Sequence, residues 1–390
     1  MELSDRSLEA ELAAIAQEAE PGRTSRLAVR HWGWDGRGGA TLEATGRELG
    51  GITRERVRQL CDRLTRRLGE GPAGAPSAPA LDKALVLAAH AAPTTAHDLA
   101  RRLADAHIAA QPFDPAGLLA AAAVLGRDQT FLLETVKHVR VALPDPPDPA
   151  TDTVAVIACI VDTARALVRR SGAARVGDVT GRVAATLAVW VDDALVTAVV
   201  SEPKDFIWLE RRTGWFYLPS VAKNAVVSRV VKVLSVAGSI DLTDLHAGIR
   251  RDERMKVFVM PEHILGELCE RIPSDAVADG RVYAREPIRP RDVLETTELT
   301  LVRILVEHGD AMERHALEAL CLAAGMKLSS FNNRIAYSPI ISARGYGRYG
   351  LRGNGSALRA GRAGKAGSAP ARDDVPRPGD LEHLQAPRRR

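Results

Sequence analysis

The sequence predicts a mainly α-helical fold edged with small β-hairpins. Three observations carry this expectation. Apolar residues recur at helical spacing along most of the chain. A pair of glycines, Gly50 and Gly51, splits one such pattern near the N-terminus into two helices. Beyond residue 80 the chain repeats itself with a period of about 70 residues.

The composition sets the frame. The 390 residues include 53 basic and 49 acidic side chains, a net charge of +4, and 46% are hydrophobic. That apolar fraction supports packed cores and excludes a wholly disordered chain. No run of about 18 apolar residues occurs, so no membrane span or membrane partner is expected. The first twenty residues are acidic and amphipathic, unlike the basic start and apolar centre of a signal peptide. Cys61, Cys159, Cys269 and Cys321 lie far apart. They suit a reducing cytoplasm rather than a disulfide framework or a zinc site. From Arg344 onward there are 11 basic and 4 acidic residues, a net of +7, so the preceding 343 residues sum to −3. Any affinity for an anionic partner must therefore come from local patches and the tail.

Residues 1–68 form the first expected domain. Thr41 is placed to cap a helix from Leu42 to Leu49, with Leu42, Thr45 and Leu49 on one face. Thr53 caps a second helix whose apolar stripe is Val57, Leu60, Leu64 and Leu68. Two helices joined by a tight glycine turn make a helix-turn-helix. Opposite the stripe, Arg54, Glu55, Arg58 and Gln59 project together. Arg matches a guanine edge, Glu accepts from cytosine and Gln pairs with adenine. Arg56, Arg63, Arg66 and Arg67 are placed to reach phosphates. Residues 47–68 hold seven basic and three acidic side chains.

The run TLEATGRELGGITRERVRQL, with the lead-in RHWGWDG, resembles region four of the sigma-70 family, which reads the −35 promoter element. The resemblance spans residues 26–68 only. It implies that Arg54, Glu55, Arg58 and Gln59 are the base-reading positions and Thr53 the helix cap. Two departures stand out: one extra residue in the turn, and Thr45 where the family carries an aliphatic side chain.

Residues 69–80, rich in Gly, Ala and Pro, read as a flexible linker. The repeats follow at 81–143, 153–219, 226–286 and 297–352. Each opens with an apolar helix. Each continues with a helix bearing a pair four residues apart: Leu99 and Leu103, Val179 and Val183, Leu245 and Ile249, Leu317 and Cys321. A third helix and a β-hairpin close the unit. Three helices and a hairpin predict a winged helix, so about four tandem winged-helix modules are expected. Residues 353–390 form a basic Gly/Ala/Pro/Arg tail expected to be disordered and to add salt-dependent phosphate affinity.

The third helices differ in chemistry. The first is nearly all Ala and Leu, the second carries Asp192 and Asp193, and the third carries Glu262, Glu267 and Glu270 against Arg271. None suits phosphate. The fourth offers Lys327, Ser329, Ser330, Asn332, Asn333 and Arg334, and its wing places Arg344, Arg348 and Arg352 around Tyr346 and Tyr349. That set suits DNA contact. No phosphate-binding loop, nucleophile elbow or metalloprotease motif occurs, and the ten histidines are scattered. No enzymatic activity, cofactor, metal or small-molecule ligand is expected. The expected partner is double-stranded DNA, and the expected role a bacterial transcription regulator or sigma-like promoter-recognition protein. The rival expectation is a scaffold that docks RNA polymerase or another multi-subunit complex.

Overall fold

The computed structural model describes residues 6–69, 76–147, 151–255, 259–309 and 311–355. The chain divides into two compact units, residues 1–226 and 227–390. The described residues are mainly helical, with small antiparallel sheets. None of their helices is long and apolar enough to cross a membrane. The expected basic tail lies outside the described residues from residue 356 onward.

The first unit opens with α1 (Leu8–Ala19), α2 (Arg23–Trp32), α3 (Leu42–Glu48) and α4 (Arg54–Gly69). Both expected caps are present. The Thr41 hydroxyl accepts from the Ala44 N–H at 3.1 Å and that of Thr53 from the Arg56 N–H at 3.3 Å. Val57, Leu60, Leu64 and Leu68 are the buried face of α4, together with Cys61. The turn between α3 and α4 needs its glycines: Gly50 has φ +123° and Gly51 +65°. The Arg23 guanidinium on α2 holds the turn by donating to the Leu49 and Gly50 carbonyls at 3.1 and 3.0 Å. Gly46 also has no substitute, because a Cβ there would lie 2.4 Å from the Ile52 carbonyl oxygen.

Residues 76–80 are not the end of a free linker. Helix α5 (Pro79–Ala91) starts inside that stretch, and Ala78 and Ala80 are buried. The reason is a long-range cap. Glu11 on α1 is fully buried, and its carboxylate accepts from the Ala80 and Leu81 N–H groups at 3.0 Å. A negative charge thus sits on the orphan donors of a helix N-terminus. One continuous core follows from this closeness. Leu12, Trp34 and Val57 share it with Leu81, Phe113 and Phe131.

Helix α5 continues into β1 (Thr94–Thr95), α6 (Ala96–Asp105), α7 (Pro115–Val124), β2 (Phe131–Val136) and β3 (Val139–Pro144). The same order then recurs: α8 (Thr153–Ser171), β4 (Ala174–Arg175), α9 (Val176–Leu187), α10 (Asp193–Val200), β5 (Ile207–Glu210) and β6 (Trp215–Tyr217). In both sheets the last strand lies between the other two, β1-β3-β2 and β4-β6-β5. The β2–β3 hairpin turns without glycine. Val136 pairs with Val139, and the two loop residues, Lys137 and His138, have φ +48° and +74°.

The second unit begins within α11 (Ala225–Ala237). It contains β7 (Ser239–Asp241), α12 (Leu242–Arg251), α13 (Glu262–Arg271), β8 (Asp275–Ala278) and β9 (Arg281–Ala284). A short α14 (Pro290–Val293) leads to α15 (Thr296–His308), β10 (Ala311–Glu313), α16 (Arg314–Ala323), α17 (Leu328–Tyr337), β11 (Ile341–Ala343) and β12 (Arg348–Leu351). Its sheets are β7-β9-β8 and β10-β12-β11. The eight residues expected to pair four apart on the second helices, from Leu99 to Cys321, are all fully buried. The expected repeats did not include β1, β4, β7 and β10, which add a third strand to each hairpin.

The two repeats of the second unit are bolted together. Arg352, nearly buried after β12, donates to the Pro339 carbonyl at 3.0 Å and to the Asp244 carbonyl on α12 at 2.9 Å. Lys232 on α11 pairs with buried Glu298 on α15 at 2.8 Å. Arg352 is therefore a fastener, not a free wing cation.

Candidate nucleic-acid interface

Helix α4 presents the polar face that its periodicity implies. Arg54, Glu55, Arg58, Gln59 and Asp62 are all exposed, while the opposite stripe is buried. These side chains are organised by one another. The Arg58 guanidinium pairs with Glu55 at 2.7 Å and with Asp62 at 2.9 Å. Gln59 donates to the Glu55 carboxylate at 3.3 Å and accepts from Arg56 at 3.3 Å. The Arg58 hydrogen bond holds the Glu55 carboxyl below its ordinary range, and Glu55 in turn raises Arg58. Asp62 belongs to this network but was not among the expected site residues. Its signal was present in the sequence, since it sits four residues after Arg58.

The four expected phosphate contacts on this helix separate into two groups. Arg63 and Arg67 reach back to Glu20, at the end of α1, at 3.5 and 3.4 Å, and Arg67 also donates to the Ala19 carbonyl. They secure α4 to α1. Arg66 is exposed and makes no hydrogen bond or ion pair among the described residues, and the same holds for Arg54. Arg56 is exposed, and among the described residues its guanidinium bonds only to Gln59.

The second cluster lies on α17 and the β11–β12 hairpin. Lys327 stands at the N-cap position of α17, makes no side-chain cap bond and is exposed, as is Asn333. Asn332 is exposed, but its carbonyl oxygen accepts from Arg314 at 2.6 Å. Arg334 turns inward. It donates to the Thr297 hydroxyl at 3.0 Å and pairs with Glu295 and with Glu298, the latter at 3.7 Å. Its expected surface role gives way to an internal one, because two carboxylates of α15 and its cap face it. Arg344 and Arg348 stay exposed while donating to the Leu351 and Ala311 carbonyls at 2.9 and 2.7 Å. Tyr346 stands fully exposed at the hairpin tip with φ +49°, between Gly345 and Gly347.

Chemically, the α4 face combines a guanidinium, a carboxylate and a carboxamide, the groups that read base edges. Arg66, unpaired among the described residues, lies two turns further on. Helices α7 and α10 carry no basic residue, and α13 has acids at Glu262, Glu267 and Glu270. No group of three or more His, Cys, Asp or Glu side chains among the described residues could hold a metal ion. No family model matches the chain, and no curated protein matches it.

Proposed function

We propose that this chain is a sequence-specific DNA-binding protein. It acts as a bacterial transcription regulator or a sigma-factor-like promoter-recognition protein and reads duplex DNA with α4. The observation that carries this reading is the α4 face. Arg54, Glu55, Arg58 and Gln59 project together from a helix that Thr53 caps and a glycine turn presents. Arg66 supplies a phosphate contact. The four repeated units are winged helices in this reading, and the fourth adds a second contact through Lys327, Asn333 and the hairpin bearing Arg344, Tyr346 and Arg348.

A second reading, a scaffold that docks RNA polymerase or another protein complex, is favoured by one feature. Trp190 is 84% exposed two residues before Asp192 and Asp193 at the start of α10. An aromatic side chain in water beside two acids suits a protein partner better than a phosphate.

The discriminating experiment is selection from a random duplex library by the full-length protein, with sequencing of the retained DNA. Enrichment of one motif, abolished in Arg58→Ala, supports DNA reading. Retention without enrichment, together with co-purification of polymerase, favours the scaffold.

A further inference from the structure

A cavity of about 200 Å³ opens in the first unit where the β2–β3 turn meets α8 and the end of α10. Its floor is aliphatic: Val139, Ala164, Val199, Val200 and Leu218, all buried residues. Its mouth is polar and mainly basic, with Lys137 and His138 from the turn and Arg165 from α8. Apolar cavities of about 150 Å³ hold a benzene-sized guest, so this one accommodates a single ring or a short branched chain.

Two further features point to a ligand. The first is the turn. A two-residue hairpin loop with both φ angles positive is ordinarily filled by Asn-Gly. Here it is filled by Lys137 and His138, whose side chains make that conformation unfavourable. The chain keeps two basic side chains at the mouth where glycine would be the easier choice. The second is the state of the donors. Lys137 pairs with Asp162 at 3.2 Å. Arg165 makes no hydrogen bond or ion pair among the described residues, but the Asp205 carboxylate, which accepts from the Ser220 N–H at 2.6 Å, acts on it electrostatically; His138 makes no hydrogen bond or ion pair among the described residues. The one carboxylate among the lining residues, Glu202, acts electrostatically on Arg140, which is paired with Asp114.

We infer that this cavity binds a small monocarboxylate with a compact apolar body, its ring or branched chain against the valine floor and its carboxylate on Arg165 and His138. A guanidinium suits a carboxylate because two parallel N–H groups meet both oxygens. The site joins the first two repeats, so its occupancy would couple an effector to their packing. The inference stands apart from the DNA-reading proposal, since it uses none of the α4 residues.

The test uses full-length protein and four probes of similar size: benzoate, 3-methylbutanoate, benzamide and benzylamine. Binding is followed by calorimetry and by saturation-transfer NMR. Benzoate is expected to bind at one site per chain and to raise the melting temperature with dose. The neutral and cationic probes should bind at least about tenfold more weakly, as expected for a charge-assisted contact. Arg165→Glu, on an exposed side chain, should remove benzoate binding. Arg165→Lys, which keeps the charge but not the fork, should restore part of it. Equal binding of benzoate and benzylamine overturns the inference, as does benzoate binding that survives Arg165→Glu. Failure of both benzoate and 3-methylbutanoate to bind also overturns it.

Discussion

Glu11→Ala is the perturbation whose consequence the structure fixes most closely. The Glu11 carboxylate is buried and accepts from two N–H groups of α5, those of Ala80 and Leu81, at 3.0 Å. Alanine leaves both donors buried without a partner. Each such orphan costs about 1–3 kcal/mol. The lost negative charge at the helix N-terminus adds about 0.3–1 kcal/mol. Partial entry of water offsets some of this, so the expected loss is about 2–5 kcal/mol, within the range of strongly destabilising substitutions. Glu11→Gln keeps one acceptor and should lose roughly half as much. The assay is urea unfolding of full-length protein followed by circular dichroism, with hydrogen exchange at the Ala80 and Leu81 amides. These two amides should lose protection in Glu11→Ala before the rest of the shared core does. Unfolding within about 0.5 kcal/mol of the parent, the range of ordinary surface changes, would refute the reasoning. So would unchanged protection of the two amides.

Four other substitutions test the packing of both units. Thr45 is fully buried and its hydroxyl has no partner among the described residues, so Thr45→Val should stabilise by about 1–2 kcal/mol in thermal melts. Asp275 is fully buried with one carboxylate oxygen unpartnered among the described residues, and burial raises its pKa to about 6, against a hydrogen bond from Ser274. The folded chain therefore holds a proton between about pH 4 and 6 that the unfolded chain releases. Its contribution to stability falls as pH rises through that window, by about 2–3 kcal/mol. Urea midpoints of the parent and Asp275→Asn should converge at the acid end and diverge in favour of the variant near neutrality; a constant difference would contradict this. Arg334→Ala should destabilise by about 1–3 kcal/mol, since it removes a partner of buried Glu298, whereas Lys327→Ala should leave stability within about 0.5 kcal/mol. Equal melting curves for these two variants would contradict the inward role of Arg334.

What was legible in the sequence was local. The Thr41 and Thr53 caps, the Gly50–Gly51 turn and the stripe from Val57 to Leu68 each depend on residues within a few positions, and each is found where the spacing placed it. The buried pairs on the second helices follow from the same periodicity. What was not legible was tertiary. Glu11 caps a helix that begins 68 residues later. No local pattern announces such a partner. Strands β1 and β4 are two residues long, too short for alternation to register, and exist only because β3 and β6 pair with them. The same limit applies to the candidate site. Arg63, Arg67 and Arg334 have the composition of phosphate contacts, but Glu20 and the Glu295–Glu298 pair claim them. Arg58 stayed on the surface because its partners, Glu55 and Asp62, lie on its own helix.

The claim that α4 reads base edges is tested most directly by the ratio of affinities for a selected duplex and a random one. The ratio is measured by fluorescence anisotropy at one salt concentration for the parent, Arg58→Ala and Arg66→Ala. Arg58→Ala should lose about 1–3 kcal/mol on the selected duplex and little on the random one, collapsing the ratio. Arg66→Ala should weaken both duplexes alike and leave the ratio unchanged. Equal losses on both duplexes for Arg58→Ala, or no loss on either, would contradict base reading by α4.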